Sequence, residues 1–182
     1  ALEGRSLPGK AGEVEAFLKA NPAKLMEARE KCEEALRSAA APGERAAAAD
    51  LLKRIENMIL ERAEARLAEL DRLAGPLEKA GRLAEAARIY EGEDQGQLGL
   101  IGASKLRHRL ERIREAAAAA AEDARRKAAE MAGRNLREEA LKSLEAAAAL
   151  LPKAEAESLK PDMDALRAAI AAEAEAAKKA AD

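Results

Sequence analysis

The residues of this chain that could support acid–base or nucleophilic chemistry are few and lie far apart in the sequence. His108 is the only histidine, and Arg107 and Arg109 flank it. A histidine that acts as a general base or a metal ligand needs a partner acid or nucleophile. Flanking cations supply neither. We therefore expect His108 to lie on a solvated helix face.

Cys32 is the only cysteine, so no intrachain disulfide can form. One cysteine and one histidine cannot complete a zinc site, and a diiron site in a helical bundle needs Glu-x-x-His pairs. Arg29 and Lys31 could lower the thiol pKa, but no histidine lies near Cys32 in the sequence. We expect a packing residue or an inert thiol, and for the chain no metal site, no cofactor and no enzymatic activity.

The glycine-rich stretch EGEDQGQLGLIGASK, residues 91–105, contains four of the 11 glycines. Its end, GLIGASK, is comparable to a phosphate-binding loop but lacks the adjacent Gly-Lys pair and the preceding strand. Glu91, Glu93 and Asp94 lack the alternating oxygen ligands of a calcium-binding EF-hand loop. We therefore interpret the stretch as a joint between helices.

A plain joint would not need the apolar residues Leu98, Leu100 and Ile101. Two roles remain open for them. They either pack against the neighbouring helices, so that the stretch is a tether, or they form a lip that contacts a partner.

Charge gives no reason to expect a nucleic acid or a lipid surface as the partner. The 32 basic and 34 acidic residues leave a formal net charge of −2. Such a balance creates no global field that would attract polyanions. The basic cluster of residues 105–114 could grip a phosphate or an acidic peptide, but Glu111 lies within it and Glu115 directly follows it. A solvated helix face is the simpler interpretation.

Composition predicts an all-α fold. Val14 is the only valine, threonine is absent, and Phe17 and Tyr90 are the only aromatic residues. Residues that suit a pleated sheet are therefore almost missing, whereas 36% of the chain is charged and alanine is abundant, as in long helices. No apolar run reaches the roughly 20 residues of a membrane-spanning helix, so we expect no membrane insertion.

Proline and glycine predict where helices begin and end. Asn21 and Pro22 resemble the cap and first turn of a helix that runs to about Ala40. Gly75 and Pro76 should interrupt or kink the next helix, and Ser104 should cap the longest one, residues 105–132. These signals predict an N-terminal helical segment, residues 1–41, and a helical-hairpin array, residues 42–182, with a glycine-rich loop at 91–104. A single continuous domain is the alternative.

Two segments are similar at an offset of 52 residues: EKAGRLAEAARIY from Glu78 and EMAGRNLREEALKSL from Glu130. They resemble the tetratricopeptide repeat (TPR), a helix-turn-helix unit, although Gly75 and Pro76 fall inside the expected first helix and the apparent period exceeds the family's. In a chain this rich in Ala, Glu, Lys and Arg, similar segments also arise by chance. The matching positions are Leu70, Leu73, Ala74, Leu77, Gly81, Ala86 and Tyr90 in the first copy, and Ala128, Met131, Ala140, Leu144, Ala147 and Pro152 in the second.

The resemblance implies antiparallel helical hairpins stacked as a short TPR-like solenoid; an elongated helical bundle is the alternative. It also implies a non-catalytic interaction or scaffold module that binds a protein or peptide partner in a groove. The second hypothesis is a structural spacer that self-associates, as a homo-oligomer, through the alanine-rich faces of residues 105–132. The candidate groove residues are Tyr90, Leu98, Leu100 and Ile101, with Arg107 and Arg109 at the rim.

Overall fold

The computed structural model describes residues 7–181, which form helices joined by short turns. None of these residues lies in a β-strand. The predicted all-α class is therefore confirmed. Its physical basis is that alanine, leucine and the long charged residues have high helix propensity. The helices are α1 (Lys10–Ala20), α2 (Leu25–Ser38), α3 (Pro42–Lys79), α4 (Leu83–Glu91), α5 (Gly99–Gly133), α6 (Arg137–Leu150), α7 (Lys153–Ser158) and α8 (Lys160–Ala181), with a 3-10 turn at Gln95–Leu98 before α5.

The chain divides into two compact units. Unit 1 comprises Ala1–Ala68 and Asp94–Lys105, and unit 2 comprises Glu69–Glu93 and Leu106–Asp182. This division differs from the predicted boundary after residue 41. The reason is that α3 and α5 each contribute one part to unit 1 and another part to unit 2.

In unit 1, α1 packs against α2, and both share a core with the first part of α3. Cys32 is fully buried there, and its Sγ donates a hydrogen bond to the carbonyl oxygen of Ala48 at 3.2 Å. Arg62 donates from α3 to the carbonyl oxygen of Ala23, at 3.0 Å, in the turn before α2. The core residues are mostly small: Ala11, Val14, Leu25, Ala28, Cys32, Ala35, Ala48, Leu51, Ile55 and Ile59.

In unit 2, α6 packs against α4, α7 and α8. The stripe of α5 that faces this core does not follow a strict heptad, because Ala121 is buried and Ala120 is exposed. An α-helix has 3.6 residues per turn, so a stripe must drift by a residue relative to a strict heptad. The buried stripe in unit 2 is Leu106, Leu110, Ile113, Ala117, Ala121, Ala124 and Ala128.

The helix boundary predicted at Asn21 was wrong, and the interruption predicted at Gly75 and Pro76 is absent. Asn21 ends α1 instead of beginning α2: its side-chain amide and its backbone N–H both donate to the carbonyl oxygen of Phe17, at 3.1 and 2.9 Å. Helix α3 continues through Gly75 and Pro76 without interruption. A proline inside a helix removes one backbone hydrogen bond, and α3 remains helical on both sides of Pro76. Helix α3, and not α5 with its 35 residues, is therefore the longest helix of the described chain.

Two turns in unit 2 have matching backbone geometry. Gly81 has φ 72° after α3, and Asn135 has φ 63° after α5. In each turn the next residue closes a six-to-one hydrogen bond, Arg82 N–H to the Leu77 carbonyl at 2.9 Å and Leu136 N–H to the Met131 carbonyl at 3.0 Å. These are Schellman motifs, in which glycine or asparagine takes the left-handed position that ends a helix.

Each turn joins two helices into a hairpin, α3 with α4 and α5 with α6. The turns align these two hairpins in a different register from the one that the sequence similarity suggests. That similarity pairs Gly81 with Gly133, whereas Asn135 has the backbone role of Gly81. When the hairpins are aligned on Gly81 and Asn135, three buried positions of the first pair with buried positions of the second, and each of these six residues is at most 3% exposed. The pairs are Ala74 with Ala128, Ala86 with Ala140, and Tyr90 with Leu144.

Candidate interaction surface

The predicted loop at residues 91–104 is mostly helical. Helix α5 begins at Gly99, so Ser104 lies inside the helix and does not cap it. The residue that caps is Asp94, whose Oδ1 accepts a hydrogen bond from the N–H of Gly96 at 2.9 Å and starts the 3-10 turn. A short carboxylate side chain that satisfies a nearby backbone N–H is a frequent way to begin such a turn.

Two glycines of this stretch allow α5 to approach α3 closely in unit 1. Gly102 is buried, and a Cβ atom at that position would lie 2.8 Å from the Cβ of Ala63 and 2.9 Å from the Cβ of Leu98. Gly99 has φ 64°, a conformation that favours glycine, and its Cβ would lie 2.8 Å from Cγ2 of Ile59. The glycines are thus explained by packing.

The apolar residues of the stretch divide between the two roles left open by the sequence. Leu98 is 3% exposed and packs into unit 1, as expected of a tether. Leu100 and Ile101, in the first turn of α5, are 80% and 57% exposed. They are the two most exposed large apolar side chains among the described residues, so they are available to a partner.

A cavity of about 330 Å³ lies beside these two residues in unit 1. Its volume is at the lower end of the range for ligand pockets, which suits one or two apolar side chains. Arg29, at its rim, is paired with Glu33 at 2.8 Å. The lining residues are Arg29, Glu56, Asn57, Ile59, Leu60, Leu98, Gly99, Leu100 and Ile101.

Tyr90 and Arg109 belong to unit 2 and form a polar cluster there. Tyr90 is 1% exposed, and its hydroxyl lies 2.8 Å from Oδ1 of Asp71 and 3.3 Å from Oε1 of Glu78. Arg109 donates from Nε and Nη2 to the two oxygens of Asp71, each at 2.6 Å. Arg112 pairs with Glu78 at 3.0 Å. A buried tyrosine offers no surface to a partner, so the prediction that Tyr90 lines a groove was wrong.

The hydrogen bonds of this cluster shift the pKa values of Asp71, Tyr90 and Arg109. The hydrogen bonds from Arg109 hold the pKa of Asp71 below its ordinary value. Burial, together with the hydrogen bond to Asp71, raises the pKa of Tyr90, and the bonds to Asp71 raise the pKa of Arg109. At neutral pH the cluster therefore contains an anion that accepts from a cation and from a neutral hydroxyl, the combination in which each donor finds an acceptor.

The remaining candidates for chemistry belong neither to this cluster nor to the lining of the cavity. Arg107 and His108 are exposed on α5. Burial, with a smaller contribution from Glu33, raises the pKa of the Cys32 thiol, so the neutral thiol is favoured. Within residues 7–181, no group of His, Cys, Asp and Glu side chains is arranged to hold a metal ion. No helix in this part of the chain combines the length and the apolar character needed to cross a bilayer.

Sequence reasoning missed Asp71 and Glu78 as partners of Tyr90, and Ile59 and Leu60 as walls of the cavity. A signal for the first pair existed, because a buried tyrosine hydroxyl usually finds a hydrogen-bond partner. The partners lie 19 and 12 residues away, however, and acidic residues are too frequent in the chain for one to be singled out.

No family model, curated protein sequence or solved structure matches this chain. Its own residues must therefore support any functional assignment.

Proposed function

We propose that this chain is a non-catalytic interaction module that binds a protein or peptide partner through Leu100 and Ile101. The observation that carries the proposal is the exposure of these two residues, 80% and 57%, beside an apolar cavity. Burial of a leucine or isoleucine side chain contributes about 1.5–3 kcal/mol, so two such residues can anchor a contact.

The cavity specifies the kind of partner. An apolar side chain of the partner that enters the cavity would contact Ile59, Leu60 and Leu98, and Leu100 and Ile101 line the same cavity. The polar groups at the rim, those of Glu56 and Asn57 among them, can orient the partner's backbone or side chains. We therefore favour a partner segment with one or two protruding apolar residues.

The TPR-like character of the module belongs to the same proposal. What supports it is the pair of hairpins in unit 2, whose turns and three pairs of buried positions correspond when Gly81 is aligned with Asn135. Small residues such as Ala86 and Ala140 are fully buried in the second helices of these hairpins, where they let helices approach one another. The self-associating spacer remains the alternative.

The test is a comparison of two double variants in a partner-capture assay with chemical crosslinking. Leu100→Ser/Ile101→Ser should lose the captured partner, because it removes both anchors. Leu136→Ser/Leu150→Ser is the matched control, since both leucines are exposed, at 44% and 42%, and lie in unit 2. Equal capture by both variants, with unchanged unfolding curves, would refute the proposal.

A further inference from the structure

A second groove, within unit 2, is larger than the cavity beside Leu100. It has a volume of about 690 Å³ and lies among α4, α5, the end of α6 and the start of α7. Five of its lining residues are alanines, so the backbone of a helix that itself carries small side chains can approach its floor closely. We call it the alanine groove; its alanines are Ala84, Ala87, Ala148, Ala149 and Ala154.

Charged side chains that form no ion pair surround the alanine groove. Arg88, Arg114 and Lys153 make no such pair with any residue in 7–181, and neither do the carboxylates of Glu91 and Glu155. Both signs of charge are present, so a purely acidic ligand would meet repulsion as well as attraction. The matching surface must itself carry both signs.

The chain contains a helix with these properties. Residues 171–180 of α8 are all exposed, although the helix continues to Ala181. This terminal segment is rich in alanine and carries Glu173, Glu175, Lys178 and Lys179, of which Glu173 pairs with Arg137 of α6. Glu175 lies 3.8 Å from Lys179, but both side chains are more than two-thirds exposed, and such a pair stabilises a helix only slightly.

The order of charges fits a parallel alignment. Along α4, Arg88 is followed three residues later by Glu91, and along α8, Glu175 is followed three residues later by Lys178. Three residues of helix rise about 4.5 Å, so both pairs have the same spacing with opposite signs. A terminal segment that runs parallel to α4 in the groove would therefore place Glu175 opposite Arg88 and Lys178 opposite Glu91.

We propose that the terminal segment of one chain docks in the alanine groove of a second copy. The contact joins two different surfaces, so it closes into a dimer when two chains exchange their segments and otherwise extends into longer assemblies. The proposal does not rest on the function proposed for Leu100 and Ile101, because groove and segment both belong to unit 2.

Compensating charge reversals test this contact in the full chain by sedimentation at low salt. The chain should associate reversibly, with a dissociation constant on the order of 10–100 µM. Arg88→Glu/Glu91→Arg should weaken association about tenfold, and so should Glu175→Lys/Lys178→Glu. The chain with all four substitutions should regain the original affinity, because both partners are then reversed. Glu34→Lys/Arg37→Glu, an exposed pair on α2 with the same spacing, should have no effect.

A second measurement tests the same contact without the charge-reversed variants, in case these do not fold. Equal amounts of Ala149→Cys and Ala174→Cys chains, mixed under oxidising conditions, should form mixed disulfides in excess over either homodimer, since Cys32 is buried. A chain that stays monomeric at these concentrations, or reversals that do not compensate, would overturn the proposal. Association that is lost only in Leu100→Ser/Ile101→Ser would also overturn it and would place self-association at the other site.

Discussion

Helices α3 and α5 are held together by different means in the two units. In unit 1, Gly102 of α5 lies against Ala63 of α3, and there is no space for another carbon atom between them. In unit 2, the long side chain of Arg109 bridges from α5 to Asp71 on α3, and Tyr90 donates to the same carboxylate. The first contact should break when an atom is added, and the second should break when atoms are removed.

The largest loss of stability should follow removal of the tyrosine ring in unit 2. Tyr90→Ala should lower the free energy of unfolding by about 3–5 kcal/mol, because it leaves a cavity in the core. Tyr90→Phe keeps the ring and should cost only about 1 kcal/mol, since Asp71 still accepts from Arg109. Urea denaturation followed by far-UV circular dichroism measures both. Equal losses for the two variants would mean that the hydroxyl, and not the ring, stabilises unit 2.

The contact in unit 1 should respond in the opposite way. Gly102→Ala should destabilise the protein by about 1–3 kcal/mol, because the new Cβ would meet Ala63 and Leu98 below 3 Å. Gly133→Ala, in the last turn of the same helix, has no neighbouring atom within 4 Å and should stabilise by up to about 1 kcal/mol. Thermal unfolding of both variants gives the two signs. A stabilising Gly102→Ala would show that the helices can move apart freely.

A smaller, pH-dependent effect should appear at Asp71. Its pKa is lowered in the folded protein, so its contribution is present above the unfolded pKa of about 3.9 and is lost as pH falls through the folded pKa. The side chain is 40% exposed, and solvent screening limits the contribution to about 1 kcal/mol. The difference in unfolding free energy between the wild type and Asp71→Asn should therefore be present at neutral pH and should shrink in acid. A difference that is independent of pH would exclude this explanation.

The sequence was informative where local chemistry decides the structure. Its composition predicted the all-α class. Asn21 was misplaced because its side chain can satisfy a helix at either end, accepting at the start or donating at the finish. The sequence similarity paired Gly81 with Gly133 because the two match by identity, whereas Asn135 matches Gly81 by conformation. Identity is the weaker guide there, since asparagine also enters the left-handed region.

The candidate site was only partly predictable for a related reason. An excess of apolar residues marked the stretch around Leu98, Leu100 and Ile101, but their division into buried and exposed depends on where α5 begins. Gly99 begins it, which a sequence pattern with four glycines could not decide. Tyr90 was assigned to a groove because its acceptors lie far away in the chain, and only the packing of α3, α4 and α5 within unit 2 brings them together.

The smallest effect on stability should come from the residue proposed to matter most for binding. Leu100 is 80% exposed, so Leu100→Ser should change the unfolding free energy by no more than about 0.5 kcal/mol. Leu98, two residues earlier, is 3% exposed, and Leu98→Ala should cost about 2–5 kcal/mol. Parallel urea denaturation of the two variants makes the comparison. A large loss from Leu100→Ser would mean that this side chain packs within unit 1, and the surface proposed for partner binding would then lose its main anchor.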